Sequence, residues 1–334
     1  MVNIKDIARR VGMSPSTVSR VINGKNHVNA FKRERILSVI EETGYVPNNA
    51  ARSMVLKRSF TVGIVIPDAF NMFQRQLFSI IERYLDSFGY HTVFFFAKFD
   101  GSGEKELLAR IQSERPDGII MLHEIREGDF YSCLAGVKLP VVTATFYRDA
   151  VPSIHVNETE AAFDGVTHLI NLGHRRISVI SGSECSFGRQ RVEGFFRALE
   201  QAGIPRDESQ VILVGNYTAE FGMYGMRELL LRNGDFTAVF AVTDELAIGA
   251  IRALEDAGLD VPGDISVVGF DDIDISGFLM PRLTTIRQPL GELGEKTALA
   301  LHRAVNGGGA AKDIVLPHKL IIRESTRALP RRRR

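Results

Sequence analysis

Two rhythms of hydrophobic positions run along this chain. From Phe60 onward, short unbroken apolar runs recur as "FTVGIVIP", "HTVFFFA", "DGIIML" and "PVVTA", and then as "RISVISG", "QVILVG", "TAVFAV" and "DISVVGF". Unbroken runs of this length predict strands buried on both faces. The segments between them, such as "LFSIIERYLDSFGY", "EAAFDGVTHLINLGH" and "RQRVEGFFRALEQAG", carry apolar residues at helical spacing and end near glycine. Strands alternating with helices predict parallel sheets covered by helices, here in two sets.

Before Phe60 the rhythm is helical only. Asn3 is placed to cap a helix whose Asp6 makes an acidic first turn and whose Ile7, Ala8 and Val11 share one face, with Gly12 closing it. Ser14 then caps a second helix that starts at Pro15, where a missing N–H costs nothing. Its Val18, Val21 and Ile22 face inward, leaving Pro15, Ser16, Ser19 and Arg20 outward until Asn23-Gly24. A third helix fits "AFKRERILSVIEET", capped by Asn29, burying Ile36, Val39 and Ile40 and ended by Gly44.

Charge changes this picture. The 334 residues are 45% hydrophobic and 24% charged, with a net charge of only +1. Residues 1–59 nevertheless hold eleven Lys and Arg against four acids, a balance of +7 that leaves −6 for the remainder. A basic head on an acidic body suits a polyanionic partner. Two short helices, a glycine turn and a bracing third helix form a helix-turn-helix. Its outward hydroxyls suit phosphate oxygens, and Arg20 suits guanine in the major groove.

Other chemistry is missing. No apolar run reaches membrane-span length, and "MVNIKDIARR" lacks the core of a signal peptide, so a cytoplasmic, nucleoid-associated protein with no membrane partner is expected. Cys133 and Cys185 show no paired spacing and read as small buried hydrophobes. "GSGEK" places Glu104 where a phosphate-binding loop needs Gly-Lys, the eight histidines lack a metal pattern, and "SGS" lacks the second glycine of a nucleophile elbow. No enzyme activity, cofactor or metal is expected.

Ligands of open parallel sheets bind beyond the strand C-terminal ends. The segments there present Phe73 and Gln74 in "PDAFNMFQRQ", Arg148 and Asp149 in "FYRDA", Arg191 heading a helix in "SGSECSFGRQRVEG", and Asp244 and Asp271 in "VTDE" and "GFDD". Aromatic rings beside a cation and carboxylates suit a sugar. For Arg148, Arg189 and Asp244 a structural pair closing a loop is the equal alternative. Phe94, Phe95 and Phe96 lie within one strand and read as core.

"IKDIARRVGMSPSTVSRVING" and "GYVPNNAARSM", followed by "GHRRI", "TDELAIGAIRALEDAGLDVPGDISVVGFDD" and "PRLTTIRQP", resemble the lactose/galactose repressor (LacI/GalR) family of bacterial transcription regulators over nearly the whole chain. The resemblance implies an all-α helix-turn-helix DNA-binding head at 1–47 and a hinge helix or linker at 48–59. It also implies an effector-binding and dimerisation domain at 60–330, made of two α/β lobes like those of periplasmic binding proteins (60–157 with 289–318; 158–288 with 319–330). Residues 331–334 form a basic tail that reads as a nucleic-acid contact or a solvated end. Pro15, Ser16 and Arg20 would meet base edges, and Ser14, Thr17, Ser19, Asn23 and His27 would meet phosphates. Ala51 and Met54 would enter the minor groove, Met54 standing where leucine is usual. Effector contacts would fall on Phe73, Arg191, Tyr217, Thr243, Asp271 and Gln288. Gln74 replaces an aromatic of the family's "NPFF", which makes that wall more polar. The function so implied is a homodimeric repressor of a pseudo-palindromic DNA operator, controlled by a sugar or sugar derivative. The alternative signal is a protein corepressor, and a third reading, an enzyme with a DNA-binding head, lacks catalytic groups.

Overall fold

The computed structural model describes residues 2–22, 28–45, 58–68, 70–98, 102–125, 128–182, 185–232, 235–309 and 313–329. It forms two compact units, Met1–Phe60 and Thr61–Arg334. The first holds α1 (Ile4–Val11), α2 (Pro15–Ile22) and α3 (Ala30–Thr43). Asn3 and Asp6 make a reciprocal capping box on α1, and Gly12 takes the left-handed conformation that ends it, with φ 68°. On α3, Asn29 accepts the Phe31 N–H, and Gly44 ends the helix in the left-handed conformation. Ile7, Ala8, Val11, Val18, Val21 and Ile36 interlock as its core, while Ile22, Val39 and Ile40 are partly buried against them. So small a core leaves the caps a large share of this unit's stability, about 1 kcal/mol for each side-chain cap.

The second unit contains two six-stranded sheets. The first is built from β1 (Thr61–Pro67), β2 (His91–Ala97), β3 (Gly118–Met121), β4 (Val141–Ala144), β5 (Ser153–Val156) and β11 (Ile314–Leu316), in the spatial order β11-β5-β4-β3-β1-β2. Every pairing in it is parallel. The helices on it are α4 (Met72–Ser87), α5 (Glu104–Glu114), α6 (Gly128–Gly136) and α11 (Leu290–Val305). The second sheet comprises β6 (Ile177–Ser181), β7 (Val211–Leu213), β8 (Ala238–Ala241), β9 (Ser266–Asp271), β10 (Thr284–Arg287) and β12 (Lys319–Ile321), ordered β12-β10-β9-β8-β6-β7. Only β12 runs antiparallel there. Helices α7 (Glu158–Asn171), α8 (Ser186–Gln201), α9 (Ala219–Leu231) and α10 (Asp244–Asp256) cover it.

The chain passes between the lobes three times: after β5, after β10 and between β11 and β12. Apolar side chains fill both faces of each sheet, as the unbroken apolar strands require. The Phe94–Phe96 run divides: Phe95 is buried, Phe94 packs partly on the core, and Phe96 is 53% exposed. Its strand lies at the sheet edge, where alternate side chains have no covering layer. Cys133 likewise departs from expectation and is exposed, whereas Cys185 is buried. In the second lobe α9 and α10 touch backbone to backbone, because Gly222 and Gly249 leave no room for a Cβ against Leu246 and Ala219.

Candidate DNA-reading surface and interlobe cleft

On the first unit, helix α2 presents Ser14, Pro15, Ser16 and Arg20 to solvent, with Thr17 and Ser19 half-buried beside them. The Ser14 hydroxyl lies 2.8 Å from that of Ser16 and 2.9 Å from that of Thr17, and it accepts the Thr17 N–H at 3.2 Å. No acidic residue occupies this first turn. The surface therefore offers hydroxyl donors, the positive end of a helix and one arginine, a set that suits phosphate oxygens and purine edges. Asn23, His27, Ala51, Met54 and the 331–334 tail lie outside the described residues.

In the second unit the cleft opens beyond the C-terminal ends of both sheets. One part of it is lined by Asn71, Phe73, Gln74 and Thr145 from the first lobe and by Glu158, Phe187, Arg191, Thr243, Asp271 and Gln288 from the second or the crossovers. Asn71 caps α4 reciprocally with Gln74, and this fixes the wall that carries Phe73. Arg191, 3% exposed, is the centre. Its Nε donates to Glu158 Oε2 at 2.7 Å, one terminal nitrogen donates to the Val242 carbonyl, and the same nitrogen lies 3.5 Å from Asp271 Oδ1. The guanidinium stacks 3.5 Å over the Phe270 ring and 4.9 Å from that of Phe187.

Asp271 sits at the end of β9 with φ 117°, a conformation costly for a residue with a side chain and typical of positions held by their surroundings. Burial pushes its carboxyl well above the ordinary carboxylate range, against the pull of Arg191. Gln288 donates to Asp271 Oδ1 at 2.8 Å, which turns its amide oxygen away. That oxygen and Glu158 Oε1 are buried acceptors without a hydrogen-bond partner among the described residues. Both belong to residues lining this space.

An adjoining part continues past Asn71, Gln74, Thr145 and Phe187 to Glu104, His123, Glu124, Cys185, Asn216 and Tyr217. Tyr217 and Cys185 are 2.6 Å apart through oxygen and sulfur, and burial pushes the thiol up to about 11. This thiol is an inert helix cap. Among the contacts that cross between the lobes, Met72 N–H donates to Glu245 Oε1 at 2.6 Å, and Ser186 N–H donates to Glu124 Oε2 at 3.0 Å.

The structure thus gathers Phe73, Gln74, Arg191, Thr243, Asp271 and Gln288 around one space, with Tyr217 in the adjoining part. It does not bring Asp244 there. That carboxylate is fully buried and accepts from Ile273 N–H, Ser276 and Thr285, so it fastens the β9–β10 connection to the start of α10. Arg148 is also elsewhere, over the Tyr131 ring at 4.5 Å in a separate hollow with Tyr147 and Asp149. Arg189 is exposed, and Arg191 lies in the second turn of α8 rather than at its start, because the helix begins at Ser186. Glu158, Asn71, Thr145 and Phe187 are lining residues that periodicity does not reveal. Glu158 had one legible signal, an acid directly after an asparagine cap at the end of "SIHV".

A basic helix-turn-helix unit joined to a two-lobed ligand-binding fold defines a DNA-binding regulator. Residues 3–48 match the bacterial regulatory proteins of the lacI family, and residues 166–326 match the periplasmic binding protein-like domain. The chain is 34% identical over 331 residues to catabolite control protein A of Priestia megaterium, covering 98% of this chain and 99% of that protein. It is 33% identical over 333 residues to the HTH-type transcriptional repressor CytR of Escherichia coli (strain K12), covering 98% and 97%. Among solved structures, the lac repressor dimer bound to operator and the anti-inducer ONPF superposes with a TM-score of 0.87 at 28% identity, over 98% of this chain and 99% of that one. A complex of the transcriptional regulator CelR with cellobiose gives 0.73 at 29% identity, over 97% and 100%. The chain belongs to the lacI family of bacterial regulatory proteins, and it is a transcription regulator, not an enzyme. No described helix is long and apolar enough to cross a membrane.

Proposed function

We propose that this regulator is a homodimeric repressor of a pseudo-palindromic operator, acting in the cytoplasm on the nucleoid, and that a sugar or sugar derivative in the interlobe cleft sets its affinity for DNA. The observation that carries the effector class is the lining of one space: the rings of Phe73 and Phe187 beside Arg191, together with Glu158 and Gln288, whose buried Oε1 atoms have no hydrogen-bond partner among the described residues. A buried acceptor without a donor costs about 1–3 kcal/mol, and adjacent hydroxyls on one ligand would satisfy both. Aromatic walls suit the apolar face of a sugar ring. The relatives point the same way: CelR is a complex with cellobiose, and a lacI-family regulator from Enterococcus faecium, similar over 81% of this chain, is solved with bound ribose. In the head, Pro15, Ser16 and Arg20 take the base-facing role and Ser14, Thr17, Ser19, Asn23 and His27 the phosphate-facing one, while Ala51 and Met54 enter the minor groove. Arg148 and Asp244 are given structural roles instead of ligand contact.

The test begins with selection of duplexes from a random DNA pool at one fixed salt concentration, since affinity depends steeply on salt. Affinity for the selected site is then measured with and without each of a set of sugars. One sugar should shift it, and Gln288→Leu should remove that shift while preserving DNA binding. A DNA affinity that no sugar changes refutes the effector class.

A further inference from the structure

Ile273 follows β9 of the second lobe, yet its side chain, 2% exposed, belongs to the hydrophobic core of the first lobe and not to that of its own. Among the described residues it is the one buried member of that core that the second lobe supplies, and Ile248 of α10 packs partly against the same core. Two positions earlier in the chain, Asp271 lines the cleft. The backbone between them is unusual: Asp271 and Asp272 take φ values of 117° and 55°, consecutive positions that favour glycine and have none. Such a backbone persists only where its surroundings hold it. Here each residue has its own tie. Gln288 donates to the Asp271 carboxylate, Arg287 and Arg323 donate to that of Asp272, and Asp244 accepts the Ile273 N–H at 3.0 Å.

We propose that the Asp271–Ile273 turn couples the cleft to the closure of the lobes, with Ile273 as the anchor by which the second lobe grips the first. This rests on the cleft as the effector site and not on the effector's being a sugar. A short connector tied at every residue carries movement at one end to the other. An occupant that draws on Asp271 must therefore shift Ile273 or distort the turn further, and a close-packed core answers such a shift by changing arrangement rather than by stretching. Two amides report on the grip. Met72 and Ser186 are the first residues of α4 and α8, where an N–H has no intrahelical partner, and each donates instead to a carboxylate of the opposite lobe, Glu245 and Glu124. Separation of the lobes breaks both bonds and leaves the bonds inside each lobe intact.

The test is amide hydrogen exchange of the full chain without added ligand, read at Met72 and Ser186 and, as a control, at the amides of β6 and β8, which pair within one lobe. Ile273→Ala should speed exchange at both reporters at least about tenfold, equivalent to about 1.4 kcal/mol, and leave the control amides slow. Ile273→Val keeps most of the side chain and should fall between the parent and the alanine variant; if the alanine variant does not fold, the valine variant decides by the same amides. Asp271→Asn weakens the pull of Arg191 and leaves Ile273 in place, and it too should speed both reporters. Unchanged reporters in the Ile273 variants overturn the anchor. Reporters and controls that rise together mean a general loss of stability and overturn the interlobe role. Reporters that respond to Ile273 but not to Asp271→Asn overturn the link to the cleft.

Discussion

Replacing Arg191 with alanine should cost more than ligand binding. The side chain is 3% exposed, bonded to Glu158 at 2.7 Å, 3.5 Å from Asp271 and stacked on Phe270. Removing it leaves two buried carboxyls without a counter-charge, a change that costs roughly 3–5 kcal/mol in comparable buried pairs. Against a typical domain stability of about 5–15 kcal/mol this is a large fraction. At roughly 2–4 °C per kcal/mol for a unit of this size, the melting temperature should fall on the order of 10 °C. The loss should also depend on pH. Without the guanidinium, Asp271 holds its proton to higher pH in the folded chain than in the unfolded one. The folded variant then binds the more protons, so its stability falls as pH rises, and the deficit is smaller at pH 5 than at pH 8. Urea unfolding of the ligand-free protein at both pH values measures this. A deficit below about 1 kcal/mol, or one equal at the two pH values, would refute the view of Arg191 as the charge that makes a buried acidic site tenable.

Two further outcomes follow from other parts of the molecule. Burial pushes the Asp244 carboxyl up to about 7, so the folded chain keeps a proton that the unfolded chain has lost. Stability should fall by up to about 1.4 kcal/mol per pH unit as pH rises from about 4 to about 7, and Asp244→Asn should flatten that slope in unfolding curves. Arg20→Ala should lower affinity for the selected operator by about 1–3 kcal/mol and affinity for random duplex far less, as read by competition binding at fixed salt; equal losses would remove Arg20 from base reading.

Much of the fold was legible because its signals are local. The caps at Asn3, Ser14 and Asn29 and the terminating glycines mark the three head helices, since hydrogen bonds within a few residues decide where a helix begins and ends. The long buried strands were equally plain, because burial on both faces demands unbroken apolar runs. Strands of three or four residues that are short or carry polar members, such as β5, β11 and β12, show no such run. Their pairing is decided by residues far away in sequence.

The cleft was legible by a different route. Strand ends and the family resemblance pointed to Phe73, Arg191, Asp271 and Gln288, which line one space. What escaped is what depends on which polar group faces inward. Asp244 and Asp271 both stand at strand ends in similar acidic runs, yet three donors hold the former inside the lobe while the latter reaches the cleft. Glu158, Glu124 and Glu245 gain their meaning only from partners 33, 62 and 173 residues away.

The two edge strands β11 and β12 lie within one run, residues 314–321, with the passage between lobes in its middle. Each sheet therefore waits for the same few residues, which follow all other strands in the order of synthesis. On the ribosome both lobes must persist with an open edge until this run emerges, and then both close together. The two lobes share one late step of maturation, and damage to that step would expose two adhesive sheet edges instead of one.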